Sequence, residues 1–212
     1  VKRPLLFVLI VLGIAAIGYF FYAYRADLTL TGFHASQQNS NAEQVNPGLR
    51  PAQIVWQTVD RTSDGFKVQM PAGANEAQIP SYTGQGVAEQ VNMIQASVDP
   101  EATYAVAWAD NPPVERAANE DIEKTLDMAR NGALGRTQTT LLSESRSNRD
   151  GYPAHDFSGR NAGGGILDAR LILAGTRLYM LIAAFPAASA RRDEDVNRFF
   201  DSFSLTAPPR TD

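Results

Sequence analysis

The chain of 212 residues contains no cysteine. Disulfides, thiolate nucleophiles and cysteine-based zinc or iron–sulfur sites are therefore excluded. Histidine occurs only at His34 and His155, and lysine only at Lys2, Lys67 and Lys124, so arginine carries most of the positive charge. That bias points to a GC-rich bacterial genome and implies no chemistry. No Asn-x-Ser/Thr sequon is present. A basic excess is missing too: residues 51–207 hold 14 Lys and Arg against 20 Asp and Glu, a net of −6. Nucleic-acid binding, which needs a basic patch or stripe, is excluded as a partner class, and anionic lipid headgroups would repel the domain weakly.

Charge is also absent from one stretch near the amino terminus. Leu5–Tyr24 is a run of twenty residues without a charge. As a helix it would rise about 30 Å, the hydrocarbon thickness of a bilayer, with every backbone group paired internally. We expect a transmembrane helix within residues 1–26, behind a cytoplasmic tip. A cleaved signal peptide is the rival, but its apolar core spans about 7–15 residues and ends in small residues at the cleavage site. Here the exit reads Tyr22-Ala23-Tyr24-Arg25-Ala26. Lys2 and Arg3 precede the span, whereas Arg25 and Asp27 cancel after it. The positive-inside bias then places the amino terminus in the cytoplasm and the remainder outside, giving a single-pass protein of the inner membrane with a periplasmic domain.

Residues 27–50 form the expected linker, richest in Gln, Asn and Ser over Thr31–Arg50 and too polar to fold alone. Such a flexible segment of ~20 residues reaches about 25 Å. Residues 51–207 are of a size for one domain, and 208–212 are a tail.

Within that domain the alternation of Ile54, Trp56, Thr58 and then Phe66, Val68, Met70 about the turn Arg61–Gly65 predicts a hairpin. Further strands are expected at Gly86–Ser97, Tyr104–Ala109, Gln138–Ser145, Ala154–Arg160, Gly165–Ala174 and Leu178–Phe185. Turns at Asp150-Gly151, Asn161–Gly164 and Gly175-Thr176 connect the last four. Ile122, Leu126, Ala129 and Ala133 share one helical face after an Asn119 cap, with Asn131-Gly132 expected to begin the end of that helix. A second helix is expected over Asp193–Asp201, presenting Val196, Phe199 or Phe200, and Phe203 to a core, before a short strand Ser204–Thr206. Runs of antiparallel strands with two substantial helices define an α+β class: an antiparallel sheet with helices packed on it.

Candidate chemistry is sparse. His155 is the one imidazole of the domain, but there is no GxSxG elbow, and Asp156, its strand neighbour, points to the opposite face. We expect a strand-surface or satisfied core histidine. Gly163-Gly164-Gly165 and Gly84-Gln85-Gly86 each precede a strand and not a helix, so neither reads as a phosphate cradle. The acidic groups Glu120/Asp121/Glu123 and Asp193/Glu194/Asp195 begin helices, where the dipole favours them, and lack a calcium-loop spacing. Trp56, Trp108, Tyr104 and Tyr179 read as core packing, and Arg191-Arg192 as a solvated pair. The expectation is no catalytic, cofactor-binding or metal residue.

The order of motifs nonetheless carries a resemblance. Phe66-Lys67-Val68-Gln69-Met70-Pro71, Tyr104-Ala105-Val106-Ala107-Trp108 and the Asp127–Leu134 helix are followed by Gly151-Tyr152-Pro153, Gly175-Thr176-Arg177-Leu178-Tyr179 and Phe199–Leu205. Over about Gln53–Thr206 this resembles a widespread group of bacterial extracytoplasmic domains of unassigned function. Their architecture is similar to that of the PsbP extrinsic photosystem subunit and of a Ran-binding yeast import factor. The resemblance implies a PsbP-like domain that binds or assembles, usually without an active site. The lipobox cysteine of its lipoprotein members is replaced here by the apolar run. Two expectations follow: a non-enzymatic accessory or assembly subunit of a bacterial membrane protein complex, held by helix, linker and lipid bilayer, or a tethered module binding or sensing an envelope ligand or protein.

Overall fold

The computed structural model describes residues 54–82, 88–98, 102–110 and 119–206. The apolar run Leu5–Tyr24, the linker and residues 208–212 lie outside them, as does Gly84-Gln85-Gly86. Among the described residues no helix is long and apolar enough to cross a membrane.

The described residues form ten strands and two α-helices in the order β1 Trp56–Arg61, β2 Phe66–Pro71, β3 Asn75–Tyr82, β4 Ala88–Val98, β5 Ala102–Asp110, α1 Asn119–Arg136, β6 Thr139–Arg149, β7 Tyr152–Asn161, β8 Ile166–Ala174, β9 Arg177–Phe185, α2 Asp193–Ser202 and β10 Ser204–Leu205. All pairings are antiparallel. They make a seven-stranded sheet of order β3-β4-β5-β9-β8-β7-β6 and a three-stranded sheet of order β1-β2-β10. The α+β class holds, with one refinement: the opening hairpin is not part of the main sheet but a second, smaller one laid on it.

The central strand β9 shows why both faces of the large sheet are apolar. Leu178, Met180, Ile182 and Ala184 point toward one core, with Leu126, Ala129 and Ala133 of α1. Tyr179, Leu181, Ala183 and Phe185 point to the other, with Phe66, Val68 and Met70 of β2 and Val196, Phe199 and Phe200 of α2. A strand covered on both sides cannot alternate apolar with polar, and β8 and β9 accordingly read as continuous hydrophobic runs. On the α1 side, Ala105, Ala107, Ala109 and Ala169 leave room for the helix backbone to approach. The opposite side is aromatic: Phe66 meets Trp108 edge-on at 5.1 Å between centroids and stacks on Phe203 at 5.5 Å, and Tyr104 meets Phe199 at 5.3 Å.

Local signals hold where they were strongest. Gly65 closes the β1–β2 turn in the left-handed conformation, φ 86°, and Asp150 and Gly151, both at positive φ, make the two-residue β6–β7 turn. Two expectations are corrected, and one strand is added. Helix α1 continues through Asn131-Gly132 to Arg136, because Ala133 and Leu134 are buried against the sheet and reward another turn. It ends where the Thr137 hydroxyl donates to the Ala133 carbonyl at 2.9 Å and Gln138 takes φ 51°. Strand β6 reaches Arg149, four residues beyond the Ser145 boundary expected from its polar sequence. Strand β3 was not anticipated: its Asn75–Tyr82 sequence is polar and holds Pro80, tolerable because β3 is an edge.

Candidate functional site

Two places bring polar groups together. The first is built on His155. Alternation along β7 sends His155 to the α1 face and Asp156 to the other, as expected of adjacent strand residues. His155 is fully buried. Its Nε2 lies 3.0 Å from Glu123 Oε2 on α1, and Arg146 Nε of β6 lies 2.7 Å from the same oxygen. Glu123 thus serves as common acceptor for the imidazole and the guanidinium. On the other side of the ring, Nδ1 lies 3.4 Å from Glu144 Oε1 and 3.7 Å from Asp127 Oδ1, without hydrogen-bond geometry to either. Arg130 Nη1 sits 3.1 Å from Asp127 Oδ1 and also contacts Glu144 Oε1.

Three carboxylates, two guanidiniums and one imidazole therefore knit α1 to β6 and β7. Asp127, Glu144 and His155 converge their ligand atoms within 4.8 Å, the one such trio among the described residues. They have the composition of a cation site, but Arg130 already supplies positive charge at both carboxylate oxygens. Glu123, near the start of α1, has in addition a specific partner in His155. Glu120 and Asp121 fall outside the described side chains. The sequence singles out His155 but does not pair it with Glu123, which lies 32 residues away on a helix.

Behind the same strand, Asp156 accepts from Arg170 Nε at 2.5 Å. Arg170 is buried, and its Nη1 donates to the Phe200 carbonyl of α2 at 2.9 Å. His155 and Asp156 thus anchor the two helices to opposite faces of one sheet. Arg191 and Arg192 are not a solvated pair: Arg191 Nε donates to the buried Asp168 of β8 at 2.5 Å and also contacts Asp193, and Arg192 Nε lies 2.6 Å from Asp195. Burial alone would lower the Arg191 pKa, but its carboxylate partners outweigh burial and raise it.

The second place is a cleft of about 360 Å³ between the turn after β1 and the β3–β4–β5 surface. Arg61, Asp64, Glu76, Gln78, Asn92 and Trp108 are among its lining residues. Arg61 lies over the Trp108 ring, 5.5 Å from its centroid, and is held by Asp64 at 2.9 Å and Glu76 at 2.5 Å. Next to it, Tyr179 Oη and Arg177 Nη1 donate to the Asp64 carbonyl at 2.9 and 2.8 Å. Arg177 also grips Asp110 with two nitrogens, at 2.6 and 2.7 Å. Those hydrogen bonds hold the Asp110 carboxyl below its ordinary range against the opposing effect of burial, and raise Arg177. Burial raises the Tyr179 phenol. Trp108 is therefore both core and cleft wall, whereas Tyr104 and Tyr179 are buried core residues and Trp56 is half-buried against Tyr104.

No known sequence family matches the chain, and no curated protein does. Its structure is similar to the solution structure of CyanoP, the cyanobacterial PsbP of Synechocystis, with 13% identity, 78% of this chain and 98% of that one covered, and a TM-score of 0.51. A Pseudomonas aeruginosa protein of unknown function aligns over 64% of this chain and 85% of its own, at 11% identity and a TM-score of 0.33. The fold is PsbP-like. At 13% identity the likeness is one of architecture alone.

Proposed function

We propose that this chain is a non-enzymatic accessory or assembly subunit of a bacterial membrane protein complex, anchored by a single helix with its folded domain on the periplasmic face. The observation that carries the reading is the PsbP-like fold, shared with the cyanobacterial PsbP of Synechocystis, taken with the sequence resemblance, which implies a domain that binds or assembles. It is supported by the uncharged run Leu5–Tyr24, which has the length of a span, and by the polar linker that keeps the domain near the bilayer. The polar side chains at the sheet support it further: the buried His155 and Arg170 and the half-buried Asp156 are tied to neighbouring elements, a use that holds helices on a sheet.

The test is recovery from gently solubilised membranes. A tagged full chain should co-purify with one set of partner proteins in constant ratio, and a chain beginning at Pro51 should lose them, since helix and linker supply much of the contact. A full chain that elutes alone would defeat the proposal. The alternative, a tethered binding or sensing module, is favoured by the cleft beside Trp108. It becomes the better account if the shortened chain captures the same partner or ligand as the full one.

A further inference from the structure

The two edges of the seven-stranded sheet are not alike. Strand β3 carries Pro80, which has no N–H to offer a newcomer. Strand β6, at the other edge, is eleven residues long, has no proline or lysine, and pairs only with β7 among the described residues. Its one irregularity is a bulge between Leu141 and Ser143, at the exposed Leu142. From Ser143 to Arg149 the strand is regular, and among the described residues no strand pairs with its outer row of backbone groups.

The side chains there specify what fits. The sequence Ser143-Glu144-Ser145-Arg146-Ser147 is symmetric in size about Ser145 and antisymmetric in charge. We propose that β6 is a self-complementary edge at which two copies of this chain pair antiparallel, with a two-fold axis through Ser145, joining two sheets into one. In that register Glu144 of each copy stands opposite Arg146 of the other, and Ser143 opposite Ser147. Opposed residues share a face in an antiparallel pair, so both contacts fall on the side that carries α1, where they add to the ties of Glu144 with Arg130 and of Arg146 with Glu123. The neighbouring registers that keep the same faces are disfavoured: centring on Glu144 sets Glu144 against itself, and centring on Arg146 sets Arg146 against itself. Charge thus selects one alignment, and the bulge at Leu142 and the turn at Asp150-Gly151 close it at either end. The resulting interface is isologous and leaves no extendable edge at β6.

The lack of native cysteine makes the test direct. At the axis, Ser145→Cys would place two Cα atoms about 4.5–5.5 Å apart, the range a disulfide accepts. With Ser143→Cys, the two thiols would be offset by four residues, about 14 Å. The full chain, reconstituted or in mild detergent, should under oxidation give a covalent dimer of doubled mass for Ser145→Cys, monomer for Ser143→Cys, and dimer again for Ser143→Cys combined with Ser147→Cys. Monomer for Ser145→Cys would overturn the proposal, and so would equal linking of both single variants, the mark of random collision. A Ser145→Cys product joined to a chain of another mass in native membranes would assign the edge to a different protein. Light scattering of the unaltered chain reads the same property without substitution: the mass of two copies supports the pairing, and one copy at every concentration refutes it.

Discussion

At the scale of single residues, Gly159 on β7 is closely packed. A Cβ there would lie 3.0 Å from Leu134 Cδ2 and from the Thr140 carbonyl oxygen, and would also press on Thr139 Cγ2. One of those contacts is backbone and cannot yield. Gly159→Ala should therefore destabilise the domain by about 1–3 kcal/mol, read as a lower denaturation midpoint with an unchanged slope. A second residue-scale prediction concerns acid. The folded-state pKa of Asp110 is lowered, chiefly by Arg177, so the pair contributes stability that is present above the ordinary carboxylate value and lost as pH falls through the folded value. Asp60 acts in the same sense, drawn down to about 2 by its hydrogen bond with Lys67 and then Thr62. Arg177 is raised, and the stability it contributes is lost only as pH rises through its folded value, well above the neutral range. Melting temperatures of Asp110→Asn should accordingly fall less steeply than those of the parent below about pH 4, and match its slope at pH 7–9. Parallel acid limbs would show that the pair is not formed.

At the scale of elements, β9 and α2 carry the architecture. β9 is paired on both sides, with β5 and β8, so Leu181→Pro removes a ladder donor in the middle of the sheet and inserts a ring where Leu181 is fully buried. Loss of the cooperative thermal transition is expected, and a transition like the parent's would contradict the central placement of β9. Helix α2 offers a graded probe. Phe199 is fully buried against Tyr104, whereas Phe203 lies beyond the helix and is half-buried. Phe199→Ala should cost about 3–5 kcal/mol and Phe203→Ala less, by chemical denaturation. The sequence left Phe199 and Phe200 as alternatives for the core face, and the structure buries both, because Phe200 turns beneath the Arg170 guanidinium at 5.2 Å from its ring centroid.

At the scale of the whole molecule, the seven-stranded sheet is held from two sides, each side with its own polar tie to a buried residue: Glu123–His155 to α1 and Asp156–Arg170 with the Phe200 carbonyl to α2. Neither tie involves residues 1–50. Removing those residues should leave the melting temperature of the domain unchanged while abolishing recovery with a membrane complex, a pairing of outcomes checked by calorimetry and co-purification on the same preparation. A fall in melting temperature would mean that the amino-terminal segment packs on the domain.

What the amino-acid sequence determined by itself was everything that depends on near neighbours. The Asp150-Gly151 turn needs two residues tolerant of positive φ, and the short apolar run Leu178–Phe185 after the Gly175-Thr176 turn reads as a strand. What only the tertiary structure decided depends on partners far along the chain. The polar segment Asn75–Tyr82 became a strand because β4 offered it an edge, and β6 grew to Arg149 because β7 pairs that far. The hairpin became a separate sheet when Tyr179 and Arg177 fixed its turn from 113 to 115 residues away. His155 found its partner Glu123 on a helix whose own periodicity marks that residue as merely polar. Short-range periodicity encodes which face of an element is buried, but which elements share that burial is a property of the assembled fold.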